Sequence, residues 1–323
     1  MKARCVPATG LSSSLCCANS VGTDSDLRDY MTTSTPDPTP EPSADISSFA
    51  ETAGTEAVLP SLTSEPVPSE GSQTAGVQAA DPEATLKVAV VTGAARRVGS
   101  EIALSLARHG YAVVVHHGTS AVEASVLVNR ISSEGGRAVA VSADLREPRA
   151  AAAAVFQAAE KLGPVSVLIN SAAVFQDRAL PWIDAYHCNV HLSVNLLAPV
   201  FLAQQFIRQL AEGEPGHIIN ILDWRAQRPG PDHLIYTASK AALASVTKSL
   251  AQQLAPGIQV NGIAPGAILP PEDRSNWHQQ RAIESIPLKR TGSPGDVCDA
   301  IHFLLKSRFI TGEILHVSGG EEL

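Results

Sequence analysis

KVAVVTGAARRVGSEIALSLARHGYAVVVH, residues 87–116, carries the reading of the fold. It opens on Lys87–Thr92, a short apolar run rich in β-branched residues, which reads as a buried strand. A turn from Gly93 to Gly99 follows, then apolar residues at helical spacing over Val98–Arg108, then a second β-branched run at Tyr111–His116. A glycine-bearing turn between a strand and a helix lets backbone N–H groups and the helix dipole meet a pyrophosphate. Gly93 permits the tight turn, and Gly99 the close packing of the helix.

The pattern repeats downstream. Strands are expected at Arg137–Ser142, Val165–Asn170, His217–Leu222, Gln259–Ile263 and Glu313–Val317. Helical patterns separate them: one ending near Ile131, then 148–161, about 190–212, about 236–254 and 295–306. Strands alternating with helices this regularly imply a parallel sheet covered on both faces. Right-handed crossovers make it a Rossmann-type, doubly wound α/β sheet of seven strands, occupying residues 85–323.

Residues 1–84 read as a disordered tail rich in Pro, Ser and Thr, unable to bury enough apolar area to offset chain entropy. Residues 1–86 hold three basic residues against twelve acids, a net −9, so the whole-chain charge of −8 leaves the remainder at +1. A nearly neutral domain has no field to attract nucleic acid or an anionic membrane. Leu11–Cys17 is too polar for a secretory core, and the acids beyond residue 23 argue against a transit peptide. The tail therefore reads as dispensable, or as upstream of a working start at Met31. No run approaches the ~18–20 apolar residues of a spanning helix. The five cysteines show no metal-ligand spacing and no disulfide framework. A cytoplasmic protein with reduced thiols and no metal is the expectation.

Several residues point to a nucleotide. Arg96 and Arg97 occupy the middle of the glycine turn, where a guanidinium can hold phosphate oxygens bidentately, and Val98 follows them. The second strand ends in His116-His117-Gly118-Thr119-Ser120, where an NAD enzyme usually places an acid for the ribose 2′-OH. None is present, so nothing repels a 2′-phosphate, and Arg96, His117, Thr119 and Ser120 suit one. The cofactor expected is NADPH. Asp144 and Leu145, after the third strand, fit the adenine edge. Tyr236 and Lys240 stand four apart, on one face of a helix. A free phenol has a pKa of about 10, and a neighbouring ammonium lowers it, which suits proton exchange near neutrality.

The chain resembles the short-chain dehydrogenase/reductase family over roughly residues 86–320. The matching segments are TGAARRVG at 92–99, NSAA at 170–173, VNLLAP at 194–199, YTASK at 236–240, VNGIAPG at 260–266 and ITGEILHVSGG at 310–320. The resemblance implies Tyr236 as catalytic acid, Lys240 as its activator and ribose contact, and Asn195 as part of a proton relay. It also implies that Asn170, Ser171 and Ala172 line the cofactor site, and that Pro265, Gly266 and Ile268 lie by the nicotinamide. A homotetramer built through the helices near 190–212 and 236–254 is implied as well.

One departure is informative. The family carries a catalytic Ser thirteen residues before the Tyr, and here that position is Asp223. A hydroxyl donates to a substrate carbonyl, whereas a carboxylate only accepts and would repel a developing alkoxide. This is similar to the pteridine reductase subgroup and to bacterial dihydromonapterin and dihydrofolate reductases, which carry Asp here. Arg97 in place of the middle glycine and Phe175 after the fourth strand match that subgroup. The resemblance implies a pterin stacked between Phe175 and the nicotinamide, with Arg97 bridging pterin and pyrophosphate. Ala173 and Thr119 depart from it, standing where the subgroup often has Ser and Arg. The expected activity is hydride transfer from NADPH to a pterin C=N bond. A carbonyl or 3-oxoacyl reductase and a non-catalytic NADP-binding regulator are the alternatives. Leu269–Ile286 is the least legible segment, with Trp277 either covering the pocket or lying on a surface helix.

Overall fold

The computed structural model describes residues 87–211, 213–270, 280 and 285–323. The tail expected over 1–84 and the role of Trp277 lie outside the described residues.

Seven strands form one parallel sheet in the order β3-β2-β1-β4-β5-β6-β7. They are β1 Val88–Val91, β2 Ala112–His117, β3 Ala138–Ser142, β4 Val165–Asn170, β5 Gly216–Ile221, β6 Ile258–Pro265 and β7 Ile314–Val317. The helices are α1 Arg97–Arg108, α2 Ala121–Ser133, α3 Pro148–Ala159, α4 Ala185–Leu192, α5 Ala198–Gln209, α6 Leu234–Leu254 and α7 Pro294–Lys306. All seven expected strands are present, each within a residue or two of its expected limits.

Why the central strands are apolar throughout is visible in their burial. In β1, Ala89 and Val91 face one core together with Leu104 of α1, Leu127 of α2 and Ile301 of α7. Val88 and Val90 face the other, with Val155 of α3, Leu202 of α5 and Ala251 of α6. Successive side chains of a strand point to opposite faces, so a strand covered twice cannot alternate with polar residues. The chain reverses winding between β1 and β4, and the crevice beyond their carboxyl ends is where such a sheet takes a ligand.

The helix expected over 190–212 is instead the continuous run Ala185–Gln209, interrupted by a π turn at Ser193–Leu197. By length and composition it is apolar enough to cross a membrane. However, Leu202, Ala203 and Phe206 are all at most 2% exposed against the sheet, so its apolar character serves the core.

The glycine turn is as tight as its sequence implies. A Cβ on Gly99 would lie 2.2 Å from the Gly93 carbonyl oxygen, a backbone atom that cannot swing aside. Gly99→Ala is therefore expected to cost about 1–3 kcal/mol of stability through overpacking, measured by denaturant unfolding. A variant as stable as the parent would show that α1 can shift away from the turn.

Candidate active site

A cleft of about 1690 Å³ opens at the carboxyl ends of the strands. At one end it is walled by Gly93, Arg96, Arg97, Val98 and Gly99 of the β1–α1 turn. His117, Thr119 and Ser120 follow from the end of β2, and Asp144 and Leu145 from the end of β3. Toward the middle come Ser171 and Ala172 after β4, then Pro265, Gly266 and Ile268 after β6. Asp223, Tyr236, Lys240 and Phe175 form the far part.

Two expected residues are not on its wall. Asn170 is 3% exposed, and its Nδ2 donates to Oδ1 of Asn220 at 2.8 Å, so the side chain turns along the sheet instead of into the cleft. Asn195, fully buried in the π turn, accepts from the Val174 N–H at 2.8 Å and donates to the Val174 carbonyl and Ser239 Oγ, both at 3.0 Å. Every one of those bonds is structural: Asn195 stitches the loop after β4 to α6.

The turn around Gly93 is held by a residue that reads from sequence as a mere strand end. The Nδ1 of His116 accepts the Gly93 N–H at 3.1 Å, and its Nε2 faces the Ala143 carbonyl at 3.1 Å, which makes Nε2 the protonated nitrogen. Burial lowers the His116 pKa to about 4, so the ring stays neutral. The ordinary value is about 6.5, so between 6.5 and 4 the unfolded chain takes a proton that the folded one refuses. Stability is thus full above 6.5 and is lost as pH falls, by about 1.4 kcal/mol per unit down to 4. Denaturant unfolding at pH 7.5 and pH 5 should differ by about 2 kcal/mol from this group. An equal pH dependence in His116→Asn would assign the loss to other groups.

Arg97 adopts φ 55°, a left-handed backbone that a glycine would take without strain. The helix therefore starts at a position shaped for glycine but filled by a cation. Its guanidinium donates from Nη2 to the Pro270 carbonyl at 3.1 Å. Asp144 is engaged on both oxygens by Arg146, a cleft residue absent from the sequence reading.

At the reacting end, Asp223 caps the short 3-10 turn Trp224–Ala226. Its Oδ1 accepts the Arg225 N–H at 2.9 Å, and its Oδ2 accepts the Tyr236 hydroxyl at 2.9 Å. Lys240 Nζ donates to the Ile221 carbonyl at 2.6 Å and stands 6.0 Å from the Tyr236 ring centre. Burial brings the Lys240 pKa down to about 8, opposed by the Asp223 charge. The sequence expectation that the ammonium lowers the Tyr236 pKa is not met. Burial, and then the adjacent Asp223 carboxylate, push the Tyr236 phenol well above its ordinary value. Tyr236 is thus a protonated donor here. Phe175 lies edge-on to Tyr236, ring centres 4.6 Å apart at 84°. Trp224, Arg225, Asp232 and His233 also wall this end, and sequence reasoning missed all four.

A cofactor can be tested against this wall. A Cβ on Gly93 would stand 2.8 Å from Ala172 Cα, so only glycine lets the turn pass this close to the loop after β4. The stretch Gly118-Thr119-Ser120 lines the cleft with hydroxyls and no acid. The donor set fits a dinucleotide carrying a 2′-phosphate. Among the described residues, no three His, Cys, Asp or Glu side chains are placed to hold a metal ion.

A parallel sheet whose nucleotide-shaped crevice ends at a Tyr–Lys pair defines a nicotinamide-dependent oxidoreductase. The family described as enoyl-(acyl carrier protein) reductase matches residues 93–322. The chain belongs to the short-chain dehydrogenase/reductase family. It is similar to the 3-oxoacyl-[acyl-carrier-protein] reductase FabG of Staphylococcus epidermidis, 32% identical over 241 residues, 72% of this chain and 98% of that protein. It is also similar to the crystal structure of FolM alternative dihydrofolate reductase 1 from Brucella canis complexed with NADP. That match has 36% identity and a TM-score of 0.70, covering 74% of this chain and 94% of the other. A short chain dehydrogenase from Burkholderia cenocepacia, in complex with NADP, has 33% identity and a TM-score of 0.69, covering 74% and 100%.

Proposed function

We propose that the chain reduces a pterin, of biopterin, dihydropterin or dihydrofolate type, with NADPH. The observation that carries this reading is the Asp223 carboxylate, hydrogen-bonded to the Tyr236 hydroxyl at 2.9 Å inside the cleft. A carboxylate there accepts N–H groups, which pterins present and simple ketones lack. The similarity to the Brucella alternative dihydrofolate reductase supports the same reading.

NADPH, when bound, supplies a hydride to the carbon of a C=N bond, and the nitrogen then needs one proton. Tyr236 holds that proton on its phenol oxygen. Tyr236 and Asp223, joined by that hydrogen bond, supply or relay the proton to the substrate nitrogen, and a proton from solvent replaces it. Arg225, 3.9 Å from Asp223 Oδ1 and 3.4 Å from Asp232, lies between two acids and offsets their repulsion. Lys240 would hold the nicotinamide ribose, Arg97 would bridge substrate and pyrophosphate, and Phe175, 52% exposed, would offer its free surface for stacking. Stacking of this kind is worth about 1–3 kcal/mol per ring. Asn195 would act by holding the loop that carries Phe175.

The similarity to FabG favours a second reading, reduction of a 3-oxoacyl thioester. Loss of NADPH absorbance with biopterin, dihydrobiopterin, dihydrofolate and acetoacetyl thioesters separates the two. Turnover of the thioester with none of any pterin would overturn the proposal. A homotetramer is part of it, and a monomer by light scattering would refute that part.

A further inference from the structure

The geometry points to His233 as a positioning residue that fixes the Phe175 ring as a stacking platform for a flat substrate. His233 stands at the N-cap of α6, three residues before Tyr236, with φ 54°. A left-handed backbone is uncommon at a residue other than glycine and persists where surrounding contacts enforce it. Three contacts do so. The His233 N–H donates to Asp177 Oδ1 at 2.8 Å, on the loop after β4. Its Nδ1 lies 3.0 Å from Asp232 Oδ2, which also pairs with Arg225. Its ring stacks on Phe175 with centres 4.0 Å apart and planes within 12°.

His233 thereby joins two loops that carry different halves of the site. One holds Phe175 and Asp177; the other holds Asp223, Arg225 and Asp232. Phe175 retains 52% exposure although His233 covers one ring face and Tyr236 meets it edge-on. The Arg225 guanidinium stands 5.9 Å from the Phe175 ring centre, and the half of the ring left open lines the same cleft as Tyr236. A ring braced from behind loses less freedom when a planar ligand stacks on it, which raises affinity. An acyclic substrate gains nothing from the brace. The inference rests on the reading that a flat molecule stacks on Phe175, though not on its being a pterin.

The test compares His233→Asn with the parent enzyme, because Asn tolerates the left-handed backbone but removes the ring. Dihydrobiopterin and phenanthrenequinone serve as planar substrates and ethyl acetoacetate as the acyclic one. KM for the planar pair should rise about tenfold relative to ethyl acetoacetate, in line with the worth of an aromatic pair. NADPH affinity, read by fluorescence, should stay within about twofold, since the brace lies away from the cofactor wall. In a Phe175→Leu background the same substitution should have no further effect on planar KM, because the two residues act as one unit. Equal KM changes for planar and acyclic substrates, or additive effects with Phe175→Leu, would overturn the inference. If the parent reduces phenanthrenequinone but no pterin, the pterin reading falls while the ratio still decides on His233. A parent that reduces neither planar compound overturns both.

Discussion

Tyr236→Phe is expected to lower kcat by about 10²–10⁴-fold, the range that a positioned general acid contributes. Burial and Asp223 hold the phenol protonated well above its ordinary range, and its hydroxyl donates to Asp223 Oδ2 at 2.9 Å. Phenylalanine removes that proton and leaves the ring, so the edge-on contact with Phe175 and the packing of α6 are retained. NADPH affinity should therefore change little while the chemical step is lost, a separation seen by combining fluorescence binding with turnover. The pH profile adds a second check. Tyr236 keeps its proton through the neutral and mildly alkaline range, so it causes no loss of activity there. Lys240 is charged below about 8 and neutral above it in the enzyme without cofactor. A decline above pH 8 is thus expected in NADPH affinity, carried by KM for NADPH and not by kcat. Residual kcat within tenfold of the parent would show that Asp223 obtains its proton elsewhere.

The legible and illegible residues of this site differ in a physical way. Backbone geometry repeats locally, so β1 and its glycine turn could be read from a few residues: the strand from its β-branched run, Gly99 from a clash that any fold of this kind imposes. Tyr236 and Lys240 stand four apart on one helix face, but their roles and the weight of Asp223 come from the family resemblance and not from spacing alone. Direction was harder. Asn170 and Asn195 lie in the matched segments, yet one turns toward Asn220 and the other toward Val174 and Ser239. Those partners are 15 or more residues away, and no periodicity encodes them. His116 closes an apolar run and reads as a strand end, because its bonds to Gly93 and Ala143 reach two other loops. The cluster of Arg225, Asp232 and His233 was invisible because it sits in irregular chain, where charge pairs follow loop geometry instead of a 2- or 3.6-residue repeat. The π turn at Ser193–Leu197 was hidden for a related reason: an apolar helix with one extra residue in a turn keeps nearly the same pattern.

Asp223→Ser is expected to reduce pterin turnover by about 10²-fold while carbonyl turnover stays or rises; a hydrogen bond to a charged group in a site is worth about 1.5–3 kcal/mol. Serine is the informative replacement because it preserves what Asp223 does for the fold. Asp223 caps the 3-10 turn through the Arg225 N–H, and serine is an equally good cap. Arg225 keeps Asp232 at 3.4 Å as a counter-charge, so no cation is stranded in the wall. What changes is confined to the reacting end. The Tyr236 hydroxyl loses a charged acceptor and gains a neutral one, and the substrate meets a donor where it met an acceptor. A pterin then finds no partner for its N–H groups, whereas a ketone oxygen finds the hydroxyl that stabilises its developing charge. Parallel assays on dihydrobiopterin and ethyl acetoacetate read both effects in one protein. If pterin turnover survives the exchange, the carboxylate is not the group that recognises nitrogen. The choice of substrate would then rest on the aromatic wall formed by Phe175 and His233.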